Sequence, residues 1–302
     1  MQATPAGRHR ADMLSFDILL AGIVNGLAAG AIYVLVAVGL TLIYGVLHII
    51  NFAHGSLLML AMYAVFFLFT RARIDPYLAL PAMVVGSFAF GYVLYRFLIG
   101  RFAHGKDENI LLITLGLSIV IDNLALFFFT GDTQTIDVRH ASGLVEIGPA
   151  FLSRAKVIAF VAALAICAAL GLFIARSDMG KAIRAVAKER QGARLVGIDV
   201  EHVFAVSYGI GIACLGAAAC LLMPSFYVSP SSGHAFVLIA FTTVVLGGMG
   251  SFLGALIGGF VIGITESLGG LLLGEQLGQI GISLIFILIL LLRPTGLFGS
   301  AR

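Results

Sequence analysis

The stretch Gly26-Leu-Ala-Ala-Gly30-Ala-Ile-Tyr-Val-Leu35-Val-Ala-Val-Gly-Leu40-Thr-Leu-Ile-Tyr44-Gly-Val-Leu-His48-Ile-Ile-Asn51-Phe-Ala-His54-Gly55 decides the fold. It belongs to an apolar region running from Ile18 to Thr70. A helix needs about 20 residues to cross a bilayer, so this region is too long for one crossing and awkward for three. The interruption at His48–Gly55 inserts two His and one Asn into the run. Polar groups and unwound backbone at membrane depth are tolerated only against protein or a cavity. A span plus a broken or re-entrant segment is therefore expected. In one reading Asn51 and His54, with Tyr44 nearby, line a translocation path. In the other, the side chains satisfy the backbone freed by the break. His48 and His54 have no carboxylate or cysteine at ligand spacing, so no metal site is expected.

The composition around this stretch agrees. Of 302 residues, 60% are hydrophobic and 11% charged. Soluble domains carry about 25% charged residues, so a water-soluble enzyme is excluded. Mean hydropathy is +1.09. The 37 glycines and the absence of Trp suit close helix packing. A net charge of +3 is too mild to suggest nucleic acid as a partner. Cys167, Cys214 and Cys220 sit inside apolar runs and are expected to be small packing residues.

Apolar segments fall at 18–47, 56–70, 77–95, 109–130, 157–175, 203–223, 235–247, 250–273 and 279–292. The expected fold is all-α: a polytopic transmembrane bundle of about eight or nine segments, in a single domain over 1–302. Segments 56–70, 235–247 and 279–292 are short, as tilted spans or halves of discontinuous helices would be. Two intersegment regions are basic, one with Arg96, Arg101 and Lys106, the other spanning 176–201. Positive charge marks cytoplasmic loops, and the acidic loop 131–156 falls outside. Arg8-His9-Arg10 precede the first run as in a signal peptide, but that run has no clean end and reads as a retained span. Three crossings before Arg96 would put the N-terminus outside; a re-entrant segment would keep it cytoplasmic, the placement favoured here.

The loop 176–201 opens with Ser177-Asp178, either of which can cap a helix. Ala182, Ile183, Val186 and Ala187 form a narrow apolar stripe, with Lys181, Arg184 and Lys188 opposite. Such a helix docks in a partner's groove or rests on anionic lipid. Gly180-Lys181 is not a nucleotide loop, because Ala175 and Ala182 occupy the positions that need Gly and Ser/Thr. ATP-driven work would need a separate subunit.

Gly250, Gly254 and Gly258 recur every four residues and are expected on one helix face, as packing residues. Gly247-Gly248 should break the chain between two segments. Two acids, Asp122 beside Asn123 and Glu266, lie within apolar runs. Intramembrane acids serve as proton relays, path walls or interhelical hydrogen-bond partners. No GxSxG or HExxH motif accompanies them, so no catalytic residue is assigned.

Gly26–Gly55, with its core Asn51-Phe-Ala-His54-Gly55, resembles the hallmark of the LivH-type permeases, the membrane subunits of branched-chain amino acid ABC importers. Met179-Gly-Lys-Ala-Ile-Arg-Ala-Val-Ala187, Val244–Ser251 and Arg293-Pro294-Thr295-Gly296-Leu297-Phe298-Gly299 are also similar to that family, and the resemblance spans about Gly22 to Gly299. It implies alternating access in the inner membrane, with a second permease subunit, two cytoplasmic ATPases and a periplasmic binding protein as partners. It implies no cofactor on this chain, with ATP and Mg on the ATPases. Met179, Lys181, Ala182, Ile183, Arg184 and Val186 become the coupling segment, where Asp at 182 and 183 should uncouple ATP hydrolysis while leaving insertion intact. Family cargo also includes urea, short amides and aromatic acids. From another class, a stand-alone channel or proton-coupled transporter would use Asp122 or Glu266.

Overall fold

The computed structural model describes residues 16–102, 107–148, 150–293 and 296–298. The chain forms α1 (Phe16–Leu47), α2 (His54–Thr70), α3 (Pro76–Leu94, continued by a π-helical turn Tyr95–Ile99 and a last turn Gly100–Phe102) and α4 (Asp107–Phe129). Next come α5 (Arg154–Arg176), α6 (Asp178–Lys188), α7 (Arg190–Leu195) and α8 (Val200–Leu222). The last are α9 (Ser232–Gly247), α10 (Phe252–Leu273) and α11 (Glu275–Leu292). Six of these, α1, α3, α4, α5, α8 and α10, are long and apolar enough to cross a membrane, and α2, α9 and α11 are shorter apolar helices. The chain is a polytopic helical bundle. One departure from all-α is a hairpin in the acidic loop, where β1 (Leu144–Ile147) pairs antiparallel with β2 (Ala150–Ser153).

α1 and α8 form the centre. Their most apolar windows are 89% and 94% buried, against 17–28% for α3, α4, α5 and α10, which turn most of their surface outward. Small residues allow the close approach. A Cβ on Gly26 would stand 2.8 Å from the Gly263 carbonyl oxygen, and one on Gly30 would stand 2.9 Å from that of Gly259. Gly39 meets Gly211 in the same way where α1 crosses α8. In lipid, van der Waals packing of this kind takes the place of a water-driven hydrophobic effect. The expectation of one face carrying Gly250, Gly254 and Gly258 is corrected: α10 begins only at Phe252, and Gly250 lies in the preceding turn at φ +86°. Gly254 and Gly258 do pack on Gly247 and Thr243 of α9, while Gly259 and Gly263 meet α1. Gly248, at φ +98°, ends α9 in a conformation that side chains rarely adopt.

The polarity of the helices follows from what meets at each end. Asp17 in the first turn of α1 shares a cavity with Lys156 of α5, Ser225 just past α8 and Leu271 of α10. Leu47, at the other end of α1, meets Arg190 beside the basic segment. So α1 descends from the acidic-loop end to the basic end, α2 returns, α3 descends and α4 returns. The units α1–α4 and α8–α11 run with opposite polarity, and α1 packs most extensively on α10 as α8 does on α3. The first described turn of α1 thus lies at the acidic-loop end, the arrangement that three crossings before Arg96 would give. The break at His48–Ala53 does not send α1 back, because α1 is an uninterrupted 32-residue traverse whose first turn lies at the acidic-loop end. Arg8, Arg10, Lys106, Pro294, Thr295 and Gly299 lie outside the described residues.

Candidate functional site

The break of 48–53 climbs back into the bundle instead of ending at its surface. His48 takes φ +59°, turning the chain after α1. His54, where α2 begins, is fully buried, and its Nε2 lies 3.0 Å from the Val36 carbonyl of α1. At 1.5 Å per residue, Val36 sits about 16 Å up α1 from Leu47, so α2 starts deep in the membrane. Asn51, also fully buried, donates from Nδ2 to the Tyr208 hydroxyl of α8 at 3.0 Å and accepts from the Ala53 amide at 3.2 Å. The Phe52 amide donates to Thr114 Oγ1 of α4 at 3.3 Å. Each strand of the break is thus tied to a different helix, as the cost of unpaired backbone in hydrocarbon demands.

α9 starts at the same depth from the opposite direction. Gly55 and Gly233 touch backbone to backbone, so the first turns of α2 and α9 meet. A polar chain borders this junction. Ser56 Oγ and Ser118 Oγ are 2.8 Å apart, Ser118 donates to Asp122 Oδ2 at 3.4 Å, and His234 Nε2 stands 3.6 Å from that oxygen. Asp122 Oδ1 is buried without a partner among the described residues. Phe52 is partly exposed and tilts against Phe241 of α9, 5.6 Å between ring centres.

The structure brings together Asn51, His54 and Asp122, but not every expected path residue. Asn123 is exposed and bonds back to the Ile119 carbonyl at 2.7 Å. Tyr44 packs on His48 at the basic end, ring centres 6.2 Å apart. Glu266 is elsewhere, accepting at 2.5 Å from the Tyr33 hydroxyl in a cavity of about 700 Å³ near the acidic-loop end. Tyr208, Ser118, Thr114 and His234 were missed, because nothing in the local sequence says which distant hydroxyl or imidazole will face the break.

At the basic end, α6 is amphipathic and its apolar face turns inward. Ile183 and Val186 are buried in the bundle's own core, with Met179, Ala182 and Ala187 packed against it. Asp at 183 would therefore disrupt this chain's packing, which corrects the expectation that such a change leaves the fold intact. The outward face carries Lys181 and Lys188. Arg184 donates to the Ile174 carbonyl and closes the last turn of α5. The hydrogen bond from Lys181 Nζ, 2.9 Å away, holds the exposed Asp178 carboxyl below the usual carboxylate range. Glu189, at φ −155° and ψ 105°, separates α6 from α7. Arg190 at the start of α7 donates to the Leu47 carbonyl at 2.5 Å and sits 5.1 Å from the Phe204 ring centre. One guanidinium thus joins the basic segment to α8 and to the residue just before the break.

The chain is similar to known transport proteins. The family model described as the permease component of branched-chain amino acid transport systems matches residues 22–293. Pseudomonas aeruginosa BraD, a high-affinity branched-chain amino acid transport system permease protein, is 32% identical over 92% of this chain and 94% of its own length. Escherichia coli K12 LivH, of the same description, is 32% identical over 91% of this chain and 94% of its own. A probable branched-chain amino acid transport permease protein from Methanocaldococcus jannaschii is 30% identical over 88% of each. No solved structure matches. The chain belongs to the family of permease components of branched-chain amino acid transport systems.

Proposed function

We propose that this chain is the membrane-spanning subunit of an ATP-driven importer in a bacterial inner membrane, carrying branched-chain or related amino acids by alternating access. The observation that carries the reading is the junction of α2 and α9, two helices that begin inside the bundle beside buried Asn51 and His54 and half-buried Asp122. Discontinuous helices of this kind, with their polar ends at mid-depth, are how transporters build a substrate path without exposing backbone to lipid. Substrate makes no covalent bond; the junction supplies a polar surface that a zwitterion crosses. A second permease subunit completes the path, and a periplasmic binding protein delivers cargo to it.

Energy enters at the basic end. Two cytoplasmic ATPases, which hold ATP and Mg, press on the α6–α7 segment. Its inward face moves with α5 and α8, and Arg190 carries the displacement to Leu47 and so to the first residue of the break. Lys181 and Lys188 offer the outward contact. The test is reconstitution of the complete complex in liposomes. Arg190→Gln should leave ATP binding intact and lower amino acid uptake per ATP hydrolysed by about tenfold or more. Unchanged coupling in that variant, or uptake driven by an ion gradient through this chain alone, would overturn the reading. Urea or a short amide appearing as the imported cargo would keep the mechanism and replace the substrate.

A further inference from the structure

The turn that ends α3 departs from α-helical phase. Residues Tyr95–Ile99 are π-helical, and the Gly100 amide donates to the Tyr95 carbonyl, five residues back. In an α-helix, five residues advance by about 500°, which would set Arg96 and Arg101 roughly 140° apart. The i→i+5 bonding of a π turn lowers the rotation per residue, so residue i+5 comes nearer to the face of residue i. Arg96 and Arg101 consequently line the same cavity of about 360 Å³, with Tyr95, Phe97 and Gly100. Gly100 packs closely here, where a Cβ would stand 3.2 Å from the Tyr95 ring.

The cavity has the chemistry of a phosphate site at a lipid boundary. Both arginines are exposed, and neither has an ion-pair partner among the described residues. Tyr95 is 1% exposed, and its hydroxyl is buried without a partner among the described residues. Glu201 also lines the cavity, but Arg194 pairs with it at 3.4 Å and offsets its charge. Beside the arginines, Val93, Phe97 and Phe102 are half exposed or more on a helix that turns little of its surface inward. Cations over an apolar wall at the basic end of a span match an anionic headgroup above its acyl chains.

We propose that Arg96 and Arg101, brought into register by the π turn, hold the phosphate of an anionic phospholipid, with its acyl chains lying along Val93, Phe97 and Phe102.

Native mass spectrometry of the full-length chain released from phosphatidylglycerol–phosphatidylcholine nanodiscs tests it. Wild type should retain phosphatidylglycerol in preference to phosphatidylcholine, and Arg96→Gln and Arg101→Gln should each lower that retention by roughly fivefold. Arg176→Gln, a basic residue at the same end but outside the cavity, should leave it unchanged. Equal retention in the Arg96→Gln/Arg101→Gln double variant, or equal loss in Arg176→Gln, would overturn the site. Displacement of the lipid by millimolar glycerol phosphate would replace the lipid with a soluble anion. A double variant that keeps its lipid but no longer binds the ATPases would reassign the arginines to a protein contact.

Discussion

The molecule contains two breaks that do the same geometric work by different means. Before α2, residues 48–54 lie within the bundle, and their polar groups are held by Val36 of α1, Thr114 of α4 and Tyr208 of α8. Before α9, the chain caps itself. The Ser229 amide donates to Ser232 Oγ at 2.9 Å, the Ser229 and Ser232 hydroxyls are 3.1 Å apart, and Val228 pairs with Gln134 of the acidic loop. The first break therefore reports the positions of three helices. The second bonds, among the described residues, to itself and the outer loop, and only His234 in the first turn of α9 reaches Asp122 of α4. A rearrangement of the bundle should be felt at Asn51 and His54 and scarcely at Ser229.

The largest effect should come from the point the two breaks share. In Gly55→Val the side chain would collide with the Gly233 backbone and with Val237. The overpacking should cost about 3 kcal/mol or more, read as loss of a folded, monodisperse species in detergent. A Gly55→Val variant that melts like wild type would break the claim that α2 and α9 are locked together. Asn51→Leu comes next. It leaves the Tyr208 hydroxyl and the Ala53 amide unpaired, at a cost of about 1–3 kcal/mol in a denaturant titration. Ser229→Ala, at the other break, should cost about 1 kcal/mol or less. Equal losses at the two sites would erase the contrast between distributed and local capping. The smallest stability change belongs to Asp122→Asn, which keeps the bond to Ser118 and weakens only the contact with the largely exposed His234. Its melting curve should move by less than ~1 kcal/mol. Its uptake rate should fall, and adding His234→Gln should lower it little further, because the two groups act as one pair. Additive losses would separate them.

Much of this was legible in the chain, for identifiable reasons. Two His and an Asn in an apolar run cannot be ignored in hydrocarbon, so the break at His48–Gly55 announced itself. The nine apolar segments correspond to the nine apolar helices, and Gly247-Gly248 ended α9 as expected. Other features were hidden because they depend on what a face meets. Periodicity located the stripe of Ile183 and Val186 but not that it faces its own bundle. The spacing of Gly250, Gly254 and Gly258 suggested one face, while the Gly250 turn and the use of Gly259 and Gly263 toward α1 depend on where α10 starts. Glu266 stood out as an intramembrane acid, yet its partner Tyr33 is 233 residues away and carries no sequence mark. The π turn left no trace in composition.

The head-to-head start of α2 and α9 has an electrical consequence. Each helix carries the equivalent of about +0.5 charge at its N-terminus and about −0.5 at its C-terminus. Here the positive ends gather at the junction and the negative ends point to opposite faces of the membrane. The two dipoles oppose each other along the bilayer normal, so a transmembrane voltage that favours sliding one helix resists the mirror movement of the other. Electrical work on the symmetric motion cancels, while the positive potential at the junction, where a carboxylate would pass, adds. Uptake by the reconstituted complex should therefore be nearly flat across imposed diffusion potentials.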